Sequence, residues 1–167
     1  MATPVTFREA TQGDLPDILA LLAQPDMDGG ALPLAEAERV FARMARYPDY
    51  RLHVALLDGR IVGSFALLIM DSLGHRGTPS AIVEDLVVAP ARQRQGIGTA
   101  MMRHVLGLCA EKGCYKLTLS SNLSRERAHA FYESLGFERH GYSFKIAAPS
   151  PAASDQADRR PTSRGTP

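Results

Sequence analysis

Residues 93–100, Gln93-Arg94-Gln95-Gly96-Ile97-Gly98-Thr99-Ala100, follow an apolar run and open a helical pattern. Backbone amides exposed at a helix start, with the positive end of the helix dipole behind them, favour a phosphate-sized anion. Gly96 and Gly98 remove side chains where the backbone must approach a ligand closely. Residues 86–110 contain no Asp or Glu, yet hold Arg92, Arg94 and Arg103, so the local field is positive. The segment is neither GxxxxGK[ST] nor GxGxxG, and nucleotide hydrolysis therefore lacks its Lys and its Mg²⁺-binding hydroxyl. Just upstream, Glu84 and Asp85 interrupt the apolar run 81–89. Two adjacent acids in a buried strand are costly unless they are solvated, paired or catalytic.

These residues need a scaffold, and the apolar spacing supplies one. A short strand over 5–8 leads to Asp14, an N-cap candidate before a helical face of Leu15, Ile18, Leu19 and Leu22. Turn residues fill 24–33, and a second helix is expected from 34 to 47, ending before Pro48. Apolar runs 52–57 and 61–70 flank Asp58-Gly59-Arg60, a hairpin signal because Gly accepts positive φ. The run 81–89 reads as a buried strand closed by Pro90. Ile97, Ala100, Met101, His104, Val105 and Leu108 line a long helix ended by Gly113. A strand over 115–120, a helix over 124–135 and closing strands over 137–146 complete the series. Strands mixed with helices indicate an α/β (α+β) sheet covered by helices.

The chain has 167 residues, 19 Lys and Arg against 18 Asp and Glu, and 45% hydrophobic residues. Residues 147–167 carry the whole net charge of +1 and no Leu, Ile, Val, Phe, Met or Tyr. Such a tail cannot offset its ordering entropy, so the domain is expected at 1–146 with a disordered tail at 147–167. Near-neutrality argues against nucleic-acid binding. The absence of a long apolar run and of a secretory leader makes the cytoplasm the expected compartment, with no membrane partner. Cys109 and Cys114 lack a CxxC or clustered His and read as ordinary thiols near a helix end, not a zinc site. His104 reads as packing, and no metal site is expected.

Gln93-Arg94-Gln95-Gly96-Ile97-Gly98 resembles the Q/R-x-x-G-x-G/A loop of the GNAT superfamily of acetyl-CoA-dependent N-acetyltransferases. Residues 86–90 resemble that family's preceding strand. Asn122 followed by Ala128-His129-Ala130-Phe131-Tyr132-Glu133-Ser134-Leu135-Gly136-Phe137 resembles its second signature. The resemblance implies a single GNAT-type domain with a mixed, mostly antiparallel twisted sheet, a splayed central strand pair and about four helices. It implies acetyl-CoA as co-substrate. Backbone at Leu86, Val87 and Val88 would pair with pantetheine, and amides of Gln93, Arg94, Gln95, Gly96, Ile97, Gly98, Thr99 and Ala100 would hold the pyrophosphate. Asn122 belongs to the strand that splays to open the thioester cleft. An amine there attacks the acetyl carbonyl directly, and Tyr132 matches the position whose phenol protonates the departing sulfur. On an isolated apolar stripe Tyr132 would be core, and the signature makes it catalytic.

The attacking ammonium must also lose a proton, and Glu84 and Asp85 are the general-base candidates. Strand alternation puts Glu84 with Leu86 and Val88 and turns Asp85 away; a bulge would reverse that preference. Within the superfamily the chain resembles aminoalkylphosphonate N-acetyltransferases at 53–59 and 119–132, and glucosamine-phosphate N-acetyltransferases at 84–88 and 114–116. Ser120 stands where the latter carry Asp. The expected acceptor is a small primary amine, anionic ones included, with Arg125 and Arg127 available to an acidic group. Acetylation of a protein lysine or N-terminus, or a non-catalytic acyl-CoA-binding module, are the alternatives. Many relatives in the family are dimers, so a homodimer through edge strands near the C-terminus is the assembly to test.

Overall fold

The apolar runs pair into one five-stranded sheet in the order β1-β2-β3-β4-β5. The computed structural model describes residues 4–27 and 29–148. Along the chain lie β1 (Thr6–Glu9), α1 (Leu15–Leu22), α2 (Leu34–Met44), β2 (Tyr50–Leu57), β3 (Arg60–Met70), β4 (Ser80–Val88), α3 (Ile97–Glu111), β5 (Leu117–Thr118) and α4 (Glu126–Ser134). The first four strands are antiparallel, and β5 joins β4 in parallel. The contacts divide the chain into two compact units, Met1–Gly136 and Phe137–Pro167.

Local chemistry accounts for much of this arrangement. Asp58 and Gly59 both take positive φ, 50° and 74°, the two-residue turn whose twist matches a hairpin. Asp14 precedes α1 but does not cap it. Its carboxylate accepts from Arg8 Nη1 and Nη2 at 2.6 and 2.8 Å and from the Thr11 amide at 2.7 Å. The Arg8 guanidinium above all holds this buried carboxyl well below the usual carboxylate range. The face that α1 buries is Leu15, Ile18 and Leu21, one residue round from the expected stripe.

Every residue from 62 to 67 in β3 is buried, so the sheet is covered on both sides. α3 lies on the face that carries Phe7, His53, Gly63 and Phe65: His104 stacks on Phe7 at 4.5 Å, and Met101 sits over Gly63. A Cβ at Gly63 would fall 2.8 Å from Met101 Sδ and 2.9 Å from the Val87 carbonyl oxygen. The thioether can move and the strand carbonyl cannot. Gly63→Ala is therefore expected to cost about 1–3 kcal/mol, as overpacking does, and calorimetry should show a melting temperature lower by several degrees.

Four further expectations change. The helix expected from 34 to 47 ends at Met44, with Ala45 as its cap. The strand expected over 115–120 shrinks to Leu117–Thr118, which pairs with β4 at only two positions, Ala81 and Ile82. The helix over 124–135 is confined to Glu126–Ser134. Residues 137–146, expected to supply closing strands, form no strand, and Tyr142, Phe144 and Ile146 are each more than 90% exposed. Alternation of apolar residues suits a strand, but a strand exists only through ladder bonds to a neighbour. The expected tail lies, from residue 149 on, outside the described residues. No helix among the described residues is long and apolar enough to cross a membrane.

Candidate active site

The two acids lie on a β-bulge. Ser64 pairs with Val87 and Ala66 with Glu84, so β4 carries one residue more than β3 across this interval. Asp85 takes a φ of 51°, a left-handed geometry that one class of bulge adopts. Directly opposed residues share a face, which places Glu84 on the face of Ala66, Ser64 and Val87. Simple alternation would have grouped Glu84 with Leu86 and Val88. The bulge breaks that period, and both carboxylates end up exposed. Burial and the neighbouring Asp85 charge push the Glu84 carboxyl up. Tyr50, whose partner in the ladder is Leu68, shares the Glu84 face. Its phenol is raised by burial, then by the charges of Asp85 and Glu84.

Beyond Ile82 the edge of β4 that faces β5 has no ladder partner among the described residues. The Ala89 amide donates to the Val62 carbonyl at 2.8 Å, so Leu86 and Val88, three and one residues back, turn their N–H and C=O groups to that open edge. This leaves Leu86 and the Val88 amide without a ladder partner on that edge among the described residues, and Val87 faces β3 instead. The Val88 carbonyl accepts from Gln24 Nε2 and Gln93 Nε2, each at 3.3 Å. Gln24 is 8% exposed, and nothing in its local sequence marks it. The distant strand end gives this buried amide its partner.

After β4 the chain makes a short helical turn over Pro90–Arg92, then enters α3. Gly96, at the N-cap, takes φ 80°, and Arg94 takes φ 59°. The first amides of a helix have no acceptor within it, and no side chain caps α3. The Gln93 amide donates to the Pro90 carbonyl at 3.4 Å and the Ala100 amide to the Gly96 carbonyl at 3.0 Å. The two ends of the expected cradle are thereby committed, which leaves Arg94, Gln95, Gly96, Ile97, Gly98 and Thr99. The Gln95 side chain donates to the Ala91 carbonyl at 3.1 Å and braces the loop. Arg92, Arg94 and Arg103 are exposed around it. The donor set and the cationic surroundings suit a diphosphate.

Gly98 has a second purpose that its spacing does not reveal. A Cβ there would lie 3.2 Å from Cζ of Phe131 in α4. The glycine lets the Phe131 ring settle on the first turn of α3, and Tyr132 is the next residue. The two rings are 5.2 Å apart and tilted by 57°. Burial, opposed by Arg125, pushes the Tyr132 phenol above its ordinary value, so it keeps its proton at neutral pH. Asn122 Oδ1 accepts from the Ser124 amide and hydroxyl at 3.0 and 2.9 Å, and its carbonyl lies 2.9 Å from His129 Nε2. This residue shapes the turn into α4. Arg125 pairs with Asp26 at 3.8 Å; Arg127 is exposed.

Gly98→Leu is expected to displace Phe131 and Tyr132 together. Acetyl-CoA affinity and turnover should fall in parallel, with a lower melting temperature, since overpacking costs about 1–3 kcal/mol. Titration calorimetry and a melting curve on one sample check this; a variant that lost affinity at unchanged stability would assign Gly98 to the ligand alone.

The family model described as Acetyltransferase (GNAT) family matches residues 17–137, from within α1 to just past α4. The chain belongs to the GNAT acetyltransferase family. This GNAT chain is thereby placed among acyltransferases. It is 39% identical to a glucosamine 6-phosphate N-acetyltransferase of Trypanosoma brucei brucei over 88 residues, which is 53% of this chain and 58% of that protein. It is 27% identical to an aminoalkylphosphonate N-acetyltransferase of Salmonella typhimurium over 141 residues, 84% of this chain and 90% of that one. A crystal structure of a Trypanosoma brucei acetyltransferase superimposes with a TM-score of 0.74 at 30% identity, covering 87% of this chain and all (100%) of the other. The GNAT fold thus runs through both signature segments, the 93–98 loop and the Phe131-Tyr132 helix.

Proposed function

We propose that the protein transfers an acetyl group from acetyl-CoA to the primary amine of a small molecule by direct attack. The observation that carries this reading is the contact of Phe131 with Gly98, because it ties the anion cradle to the phenol beside it. Acetyl-CoA, when bound, supplies a thioester whose sulfur departs as a thiolate. The amides of Arg94 to Thr99 hold its pyrophosphate, and the open edge of β4 at Leu86 and Val88 aligns its amide-bearing arm. The bulge removes the alternation that favoured Glu84, but Glu84 shares its face with Tyr50 and has a raised carboxyl. It therefore accepts the ammonium proton from the acceptor, directly or through a water, with Asp85 as the second candidate on the bulge. Tyr132 donates its phenolic proton to the sulfur. Asn122 acts by holding the turn that presents α4.

The acceptor side is anionic and aromatic: Glu84, Asp85 and Tyr50 surround the position of the amine, which favours an ammonium end. An acidic group elsewhere on the acceptor has Arg127 available, while Arg125 is engaged by Asp26. Both relatives named above act, by their names, on small amines with a phosphorus-containing group, and that class is the first to try. The functional domain is taken as residues 1–146, in the cytoplasm, with a homodimer as the assembly to test.

Thiol release from acetyl-CoA, measured with glucosamine 6-phosphate, an aminoalkylphosphonate, a polyamine and a lysine peptide, tests the proposal. Turnover with a small amine and none with the peptide is the expected result. Normal acetyl-CoA binding without acetylation of any amine would make this an acyl-CoA-binding module instead.

A further inference from the structure

The C-terminus of α3 brings the two cysteines together. Gly113, at φ 69°, follows the cap residue Lys112. Its amide donates to the Ala110 carbonyl at 3.0 Å, and the Cys114 amide donates back to the Cys109 carbonyl at 2.9 Å. This pair of bonds is a Schellman motif, which puts the side chains of these two positions, Cys109 and Cys114, against each other, normally as an apolar contact. Here both are free thiols, Cys109 buried and Cys114 half-buried. We infer that Cys109 and Cys114 form a reversible intramolecular disulfide, a redox modification site apart from the acetyl-transfer machinery.

The two thiols have unequal roles. Their mutual hydrogen bond raises Cys109 and lowers Cys114, as it does when the Cys109 S–H donates to a Cys114 thiolate. Cys114 is also the more exposed. The Asp49 charge opposes its thiolate more than the Lys112 ammonium, bound to Asp49 at 2.8 Å, favours it, so exposure and the Cys109 hydrogen bond set its role. Cys114 is therefore the attacking thiol. Its thiolate displaces one thiolate from a low-molecular-weight disulfide and forms a mixed disulfide; that leaving group takes up a proton. Cys109, once deprotonated, then attacks the Cys114 sulfur and releases the second small thiol. One external disulfide is reduced to two thiols, and one protein dithiol is oxidised. Burial pushes both cysteines up, Cys109 to about 11, so the exchange is slow at neutral pH. Its rate should rise about tenfold per pH unit while the thiolate fraction stays small.

The test uses the native, fully reduced chain treated with oxidised glutathione and read by intact mass and thiol titration. The expected product is a monomer lighter by two hydrogens, with no glutathione retained and its two thiols lost, restored by dithiothreitol. Cys109→Ser should instead retain one glutathione on Cys114; Cys109→Ala is the second variant should the first not fold. A stable glutathione adduct on the wild type, a covalent dimer, or two titratable thiols surviving conditions that oxidise the unfolded chain would each overturn the inference.

Discussion

Tyr132→Phe is expected to lower kcat by about 10²- to 10⁴-fold, the range for loss of a general acid, equivalent to roughly 3–5.5 kcal/mol of barrier. The substitution deletes one oxygen and keeps the ring, so the packing of Phe131 on Gly98 and the cradle beside it remain. The KM for acetyl-CoA should therefore change by no more than a few-fold. The phenol is half-buried and raised above its ordinary value chiefly by burial. It is protonated throughout the physiological range, and activity falls only when alkali removes that proton. In the wild type this should give a descending limb only beyond the ordinary phenol range, since burial raises the group, and in Tyr132→Phe the limb should be absent. Stopped-flow or steady-state thiol release across pH 6–11 reads both effects. A kcat within tenfold of wild type would remove Tyr132 from the chemistry.

Glu84→Gln is expected to lower kcat/KM by about 10²- to 10³-fold at neutral pH and to reshape the acid side of the profile. A general base acts in its ionised form, so the rate climbs with pH through the folded-state value of the carboxyl. Burial first, and the Asp85 charge second, raise that value above the usual carboxylate range. The climb in the wild type should therefore centre higher than for an ordinary Glu and vanish in the variant. The stability consequence has the opposite sign. A carboxyl raised on folding contributes stability below its unfolded value and loses it as pH rises through the folded one. At neutral pH the ionised Glu84 is thus mildly destabilising, and Glu84→Gln should melt at the same temperature or slightly higher. Asp85→Asn, measured in parallel, identifies the base: if it alone removes the acid-side climb, the proton goes to Asp85.

The bulge shows where sequence reasoning reaches its limit. The acids themselves stand out in residues 81–89 because charge in an apolar run is costly. Their direction does not, since it depends on how β3 registers against β4, and one extra residue reverses every subsequent side chain. The register involves residues some twenty positions away, Ser64 and Ala66, and no local property of Glu84 or Asp85 encodes it.

The amino-acid sequence by itself determined the local features: the Asp58-Gly59 hairpin, whose positive φ values Gly and Asp tolerate; the glycine-marked entry to α3; and the two signature segments at 93–98 and 128–137. Each rests on backbone preferences or a period carried within a few residues. The tertiary structure alone decided which residues meet. It commits the Gln93 and Ala100 amides elsewhere, brings the buried Gln24 to the Val88 carbonyl and turns Gly98 into a seat for Phe131. It also limits β5 to two rungs and leaves 137–146 without a strand. These are pairings between distant segments, and a hydrogen bond or a ring contact is defined by its partner as much as by its donor. Even near-zero net charge proved to be such an average. A stretch at 86–110 with three Arg and no acid is balanced by acids elsewhere in the chain, and folding leaves part of it on an open strand edge.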